Sequence, residues 1–416
     1  MPENAPTPAI RDVRMRGFSH RATVATALAW LDAHTELLAS EPVALADSVG
    51  RVLVIDIVSD FDVPTFSRSM MDGFAVQAAD TLGAAPYNRL PLRIVGEVFP
   101  GAAIDTQVQS GEAVKIMTGA PIPSGADAVL PAEKVDIEED RVLALGDVSP
   151  GKHIGLPGED IKVGTTVLSA GRRLRPQDVG VLSSIGVAEV AARRKPRVRI
   201  VVTGNELLPP GSKPEGCKIV DANSPMLAGL VERDGGIAIN PGIVSDNPDA
   251  ILEALRDDAD VILVSGGSSV GQEDHAPALV AQHGELGIHG VAMRPSSPAG
   301  MGVLDGRLVF LLPGNPVSCL CAYDFFAGRA IRSLGGRRAD WPYQTQQLPL
   351  RRKLVSTVGR LDYARVQVID NEIEPLAISG ASILSSTTRA DGFVLIPEDS
   401  EGYAGGTNVT VYLYDS

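Results

Sequence analysis

The sequence predicts a multidomain α/β plus β protein: a central α/β domain with a mostly parallel sheet, a β-rich inserted domain, and a C-terminal β-barrel or sandwich. Three observations carry this. Strand and helix patterns alternate between residues 195 and 338, an order that builds a parallel sheet covered on both faces. Residues 61–150 instead carry proline, glycine and short β-like runs. At 416 residues, the chain also exceeds the roughly 250–300 residues that one hydrophobic core organises.

Taken in order, residues 1–18 are proline-rich and charged and read as a flexible tail. From Ser19, a candidate cap, Val24, Leu28, Leu31 and Leu38 recur at helical spacing. Residues 43–58 alternate as a strand does. Short β runs follow at 93–98, 113–117, 128–130 and 141–145. The mixed texture returns over 151–192, so 19–60 and 151–194 are expected to form one domain interrupted by the insertion 61–150. Lys195-Pro196 marks a boundary. A strand at 197–202 precedes a helix opening at Ser224-Pro225, which runs over 226–233 and stops at Gly235-Gly236. Then come a strand over 237–243 and a helix capped by Asn247, with Pro248 in its first position. A strand at 261–264, a helix near 274–282, strands near 288–293 and 308–312, and a helix over 316–332 complete the domain 195–338. After Trp341-Pro342 the runs 365–369 and 409–414 alternate in polarity, giving the C-terminal β domain 339–416.

Charge and composition exclude several functions. A net charge of −14 argues against nucleic acid or an anionic membrane as a general partner. No apolar run reaches the roughly 20 residues of a membrane span, and the first residues lack the apolar stretch of a signal peptide. Cys217, Cys319 and Cys321 offer no disulfide framework. Cys319 and Cys321 lie in an apolar helical stretch and read as core, because zinc sites need more ligands at characteristic spacing. A reduced, cytoplasmic protein that does not span membranes is expected.

Three loops stand where ligands bind in such a sheet, at the carboxyl ends of strands. They are Thr203-Gly204-Asn205-Glu206-Leu207, Ser265-Gly266-Gly267-Ser268-Ser269-Val270-Gly271, and Pro313-Gly314-Asn315-Pro316-Val317-Ser318. Glycines bring backbone N–H groups close to a ligand, serines add donors, and the following helix N-terminus carries partial positive charge. Any one loop reads equally as an ordinary strand-to-helix turn; three on one edge predict a site for an anionic, phosphate-bearing small molecule. Asp221, Asp246 and Asp274 lie close to these loops. Each alone reads as a cap or turn residue, but several carboxylates beside a phosphate imply a divalent cation such as Mg²⁺. In the insertion, Pro64-Thr65-Phe66-Ser67-Arg68-Ser69-Met70-Met71-Asp72-Gly73-Phe74 and Lys115-Ile116-Met117-Thr118-Gly119-Ala120-Pro121 follow no amphipathic period, and their plain reading is a pair of structured loops.

Together these segments resemble the bacterial molybdopterin molybdenumtransferases, relatives of the E domain of gephyrin, from about residue 19 to 416. The motifs are Ser69-Met70-Met71-Asp72-Gly73-Phe74, Met117-Thr118-Gly119-Ala120-Pro121, Gly158-Glu159-Asp160-Ile161, Ser265 to Gly271 with Asp274, and Leu312-Pro313-Gly314-Asn315-Pro316-Val317-Ser318. The resemblance implies an elongated four-domain protomer in a homodimer. It implies a reaction in which adenylylated molybdopterin and molybdate give molybdenum cofactor and AMP, assisted by Mg²⁺. Asp72, Thr118 and Asp160 would come from one subunit; Glu206, Asp246, Asp274 and the 313–318 loop would come from its partner, with Asp246 and Asp274 on the metal. Gly266, Gly267, Ser269, Gly271, Pro313, Gly314, Asn315 and Ser318 would hold the pterin phosphate. Arg360, Ser385 and Ser386 match C-terminal family positions near the site, and molybdate, an oxyanion, would need donors such as Arg294, Arg360 and serine hydroxyls. Breaking a phosphoanhydride needs charge neutralisation and positioning more than a protein nucleophile.

Four segments depart from the family pattern. Pro295-Ser296-Ser297-Pro298 stands where Pro-Gly-Lys-Pro is usual. Gly155 replaces a common arginine, Asn205 replaces an acidic residue, and Asp221-Ala222-Asn223 lacks a central hydroxyl. Two of these changes remove positive charge from an anion site. They leave room for an alternative: a gephyrin-like dimeric scaffold that binds short peptides of a membrane receptor or a cytoskeletal or cell-division protein, with reduced or no transferase activity.

Overall fold

Strand Arg197–Thr203 buries Val198, Ile200, Val201 and Val202 because it lies inside a sheet covered on both sides. It belongs to a seven-stranded sheet in a computed structural model that describes residues 18, 21–102, 105–267, 274–377 and 380–414. Val261–Ser265 and Arg307–Leu312 lie beside it in parallel, pairing Val202 with Ser265 and Ser265 with Leu312, so the three carboxyl ends share one edge. Ile237–Ile239 and Ile243–Val244 extend the parallel part, while Gly300–Leu304 and Glu285–His289 finish the other side antiparallel. Successive strand residues face opposite ways. Val198, Ile200 and Val202 therefore enter one core with helices Asn223–Arg233 and Pro316–Ala322. Val201, Ile262 and Val264 enter the other with Pro248–Arg256 and Ala276–His283.

The helix starts show local chemistry at work. Asn247 accepts from Asp249 N and Ala250 N ahead of Pro248, satisfying donors the first turn leaves open. Asp221 accepts from Asn223 N at 2.9 Å and Ser224 N at 3.0 Å, so the helix begins before Pro225. Ser19 lies outside the described residues; Thr23 caps the first helix, Val24–Ala33, accepting from Thr26 N at 3.1 Å.

Three expectations are revised. The strand expected over 237–243 is split at Asn240-Pro241-Gly242, where proline has no N–H for the ladder. Strand Gly300–Leu304 went unread because two glycines dilute its apolar signal; a Cβ at Gly302 would lie 2.3 Å from Glu285 O, so the close pairing needs glycine. The helix from Pro316 continues to Leu334 but through a π segment, Tyr323–Ala327.

The C-terminal sheet has six strands. It borrows Met293–Arg294, which pairs in parallel with Leu361–Ile369 and sets Arg294 opposite Asp362. Trp341 Nε1 donates to Asp324 O at 2.9 Å, and Tyr343 Oη donates to the Asp324 carboxylate at 2.9 and 3.0 Å. These bonds tie the sheet to the helix that follows the third loop.

The chain divides into two compact units: one drawn from 1–42, 50–54 and 191–416, described above, the other from 43–49 and 55–190. The second unit carries a six-stranded sheet ordered Ala128–Pro131, Gly73–Val76, Glu112–Ile116, Leu90–Val98, Arg141–Ala144 and Val135–Glu138. Gly73 opens its strand against Ala128–Pro131, where a Cβ would sit 2.1 Å from Leu130 O. Among the described residues, no helix is long and apolar enough to cross a membrane.

Candidate functional site

At the shared carboxyl edge of strands Arg197–Thr203, Val261–Ser265 and Arg307–Leu312, residues from all three glycine-bearing loops line one cavity of about 610 Å³. Thr203, Gly204 and Glu206 come from the first loop, Ser265, Gly266 and Gly267 from the second, and Gly314 and Asn315 from the third. Gly266 has φ +93°, and a Cβ there would lie 2.4 Å from Thr203 O, so only glycine fits this crossing. Asn223 fastens two of the loops together: its Nδ2 donates to Ser265 Oγ and to Gly314 O, both at 2.8 Å.

The cavity is acidic. Glu206, Asp221, Asp246 and Asp274 line it, and no Lys, Arg or His does so among the described residues. Asp246 Oδ2 accepts from Asn205 N at 2.9 Å. Asp221 serves the helix start, and Glu206, Asp246 and Asp274 line the rest of the acidic wall. Two buried oxygens, Thr203 Oγ1 and Asn223 Oδ1, have no hydrogen-bond partner among the described residues, a costly state that a polar ligand relieves. A phosphate entering here would meet like charge, which a cation could offset. Among the described residues no three His, Cys, Asp or Glu side chains are close enough to hold a metal together. The hard oxygen set still suits Mg²⁺, which is commonly held by one or two carboxylates plus substrate phosphate.

A second cavity, about 700 Å³, adjoins the first through Asn315, which lines both. Its charge is opposite. Arg21, Arg294 and Arg360 line it together with Pro295, Ser296, Ser297, Pro313 and Ser318. Asp362, fully buried, ion-pairs with Arg294, lies 3.3 Å from Arg360 Nε, and accepts from Ser356 Oγ at 2.6 Å. The buried Nε atoms of both arginines lack a hydrogen bond among the described residues. Ser296, where the family pattern has glycine, keeps the glycine-like backbone (φ +92°) and donates from Oγ to Ser318 O at 2.5 Å.

In the other unit, backbone bonds stitch three motif segments together. Ser69 N donates to Ala120 O, Gly119 N to Ser69 O, and Met70 N to His153 O, at 2.8–2.9 Å. Thr118 N and Oγ1 both donate to Asp72 Oδ1 at 2.7 Å. These bonds hold the Asp72 carboxyl below the usual carboxylate range. Asp72 lines a cavity of about 320 Å³ with Phe74, Lys115 and Met117. Asp160 is exposed on the turn after Ile154–Gly155, its N–H bonded to Val63 O at 3.1 Å. At Gly155 a Cβ would lie 2.8 Å from Glu159 Oε1, and Glu159 pairs with Arg68 at 2.9 Å, so Glu159 fills the space of a larger residue.

Ser269 and Gly271 fall outside the described residues. Ser385 and Ser386 begin a short helix, and neither lines the two larger cavities; Ser386 Oγ donates to Ile383 O at 2.5 Å, while Ser382 lines the acidic cavity. The sequence reading passed over Arg21, Ser356 and Asp362. Asp362 had a signal, standing two residues after Arg360; Arg21 had none, because only tertiary pairing brings it to residue 291.

Residues 22–186 match the MoeA N-terminal region (domain I and II), 199–333 a probable molybdopterin binding domain, and 347–414 the MoeA C-terminal region (domain IV). Molybdopterin molybdenumtransferase 2 of Mycobacterium tuberculosis is 35% identical over 383 residues, covering 89% of this chain and 94% of its own. Molybdopterin molybdenumtransferase of Staphylococcus aureus is 31% identical over 394 residues, covering 90% and 91%. A crystal structure of the molybdopterin biosynthesis MoeA protein of Pyrococcus horikoshii superposes with TM-score 0.81 at 30% identity, covering 95% of this chain and 100% of that one. These names give the scaffold alternative no support.

Proposed function

The chain belongs to the MoeA family of molybdopterin molybdenumtransferases, and on that premise we propose that it inserts molybdenum from molybdate into adenylylated molybdopterin, releasing AMP. The observation that carries this reading is the pair of adjoining cavities of opposite charge with Asn315 common to both. One suits a phosphoanhydride with its cation; the other suits a tetrahedral oxyanion.

In the acidic cavity Asp246 and Asp274 would hold Mg²⁺, which neutralises phosphate charge when bound. The residues of the chain do the rest. The 265–267 backbone and Thr203 Oγ1 position the phosphate oxygens. Asn223 keeps the second and third loops in register, and its free Oδ1 takes a substrate donor. In the cationic cavity Arg294 and Arg360 hold molybdate, and Asp362 fixes their orientation. Asp72, Thr118 and Asp160 complete the site from the other subunit of a homodimer, as the family resemblance implies. The working compartment is the cytoplasm, where all three cysteines stay free thiols.

Purified protein given adenylylated molybdopterin, molybdate and Mg²⁺ should release AMP. Asp274→Asn should lower that rate on the order of a hundredfold, as losing one element of transition-state charge stabilisation does. No AMP from the wild type sinks the assigned reaction; equal rates sink the role of Asp274.

A further inference from the structure

We infer that Arg21 is an oxyanion-binding residue whose guanidinium completes the cationic cavity, at a point where Ser297 contributes no charge. This rests on the proposed reaction, in which that cavity takes molybdate.

The placement of Arg21 is built into the fold. Ala22 bridges Val291 in parallel, with Ala22 N donating to Gly290 O at 3.0 Å and Ala292 N to Ala22 O at 2.8 Å. Phe18 seals the segment: its ring meets His289 edge-on with centroids 4.9 Å apart, and it lies where a Cβ on Gly290 would come within 2.6 Å. The amide between these two contacts, Val291 N, donates instead to Ser297 O at 2.9 Å. Arg21 and Ser297 therefore flank one short stretch of backbone, and both line the cavity.

Charge supplies the second argument. Arg294 and Arg360 share the single fully buried carboxylate of Asp362, so that trio carries one net positive charge. A molybdate dianion carries two negative charges. Arg21 is exposed and has no carboxylate within ion-pair reach among the described residues; its guanidinium lies 5.8 Å from the centroid of Phe18. In a chain of net charge −14, an uncommitted arginine in a cavity that already holds two others balances the second charge. It does so without the glycine-lysine pair that the family pattern would supply at Ser296 and Ser297.

Steady-state kinetics with both substrates varied in turn test this. Arg21→Gln should raise KM for molybdate about tenfold, the scale of one charge-assisted hydrogen bond, with KM for adenylylated molybdopterin unchanged. Arg21→Lys should stay within about threefold of wild type, and adding Ser297→Lys to Arg21→Gln should restore most of the loss. An unchanged molybdate KM in Arg21→Gln overturns the inference. So does an equal rise in both KM values with no rescue by Ser297→Lys, which marks Arg21 as only structural. If the wild type itself neither binds molybdate by calorimetry nor releases AMP, the proposed reaction falls first and this inference with it.

Discussion

Asp72 shows how much a single side chain owes to its neighbour. Both Thr118 donors converge on one carboxylate oxygen, and the backbone N–H is the larger cause of the lowered pKa. Thr118→Val removes the hydroxyl and keeps the amide. The Asp72 carboxyl should then titrate at higher pH than in the wild type, though still below its ordinary value, as followed by carbon-13 NMR of the labelled carboxyl group. An unmoved midpoint refutes the hydroxyl's share. The sign follows from linkage. A carboxyl held low in the folded state adds stability above its unfolded pKa and loses it as pH falls through the lowered value, so acid tolerance should drop slightly in the variant. At neutral pH Asp72 is ionised in both proteins. Any fall in turnover there reports Thr118 touching substrate rather than tuning its neighbour.

At the scale of elements, the glycines of the loops are not equivalent. Gly266 has a left-handed backbone with Thr203 O against its missing side chain, whereas a Cβ on Gly314 would stand 3.6 Å from the nearest atom, Gly266 Cα. Gly266→Ala should cost about 2 kcal/mol or more through strain and displaced backbone and weaken AMP binding. Gly314→Ala should stay within about 0.5 kcal/mol in stability. Thermal melts and calorimetric AMP titration read both, and equal behaviour of the two variants defeats the distinction. These loops were legible because strand-loop-helix order places them whatever else the chain does, and Asn247-Pro248 announced its helix through capping chemistry alone. Strand Gly300–Leu304 stayed hidden because its glycines answer to the backbone of strand Glu285–His289 rather than to any apolar pattern of their own. The split at Pro241 was visible in the residue itself but outweighed by the flanking isoleucines. Arg21 lay beyond reach for a similar reason: its meaning comes from Ala22 pairing with Val291, a contact that no local pattern encodes.

For the whole molecule, the proposed dimer makes a demand that neither unit meets alone. If Asp72 and Asp274 serve one site from different subunits, Asp72→Asn and Asp274→Asn each keep only about a hundredth of the wild-type rate alone. After subunit exchange the mixture should regain about a quarter of wild-type activity, since half the molecules are heterodimers and each heterodimer keeps one intact site. No recovery in a mixture shown by mass spectrometry to contain heterodimers places both residues in one subunit's site or apart from it. The borrowed strand Met293–Arg294 has a different consequence, one of timing. Among the described residues, the acidic cavity draws its lining from positions up to Pro316, with Ser382 the only later member. The cationic cavity waits for 357–360 and 380–381, and Arg294 for the arrival of Asp362. A chain emerging from the ribosome would thus own most of a phosphate chamber well before it could retain an oxyanion. A nascent chain halted near residue 340 would leave Arg294 with no carboxylate to orient it.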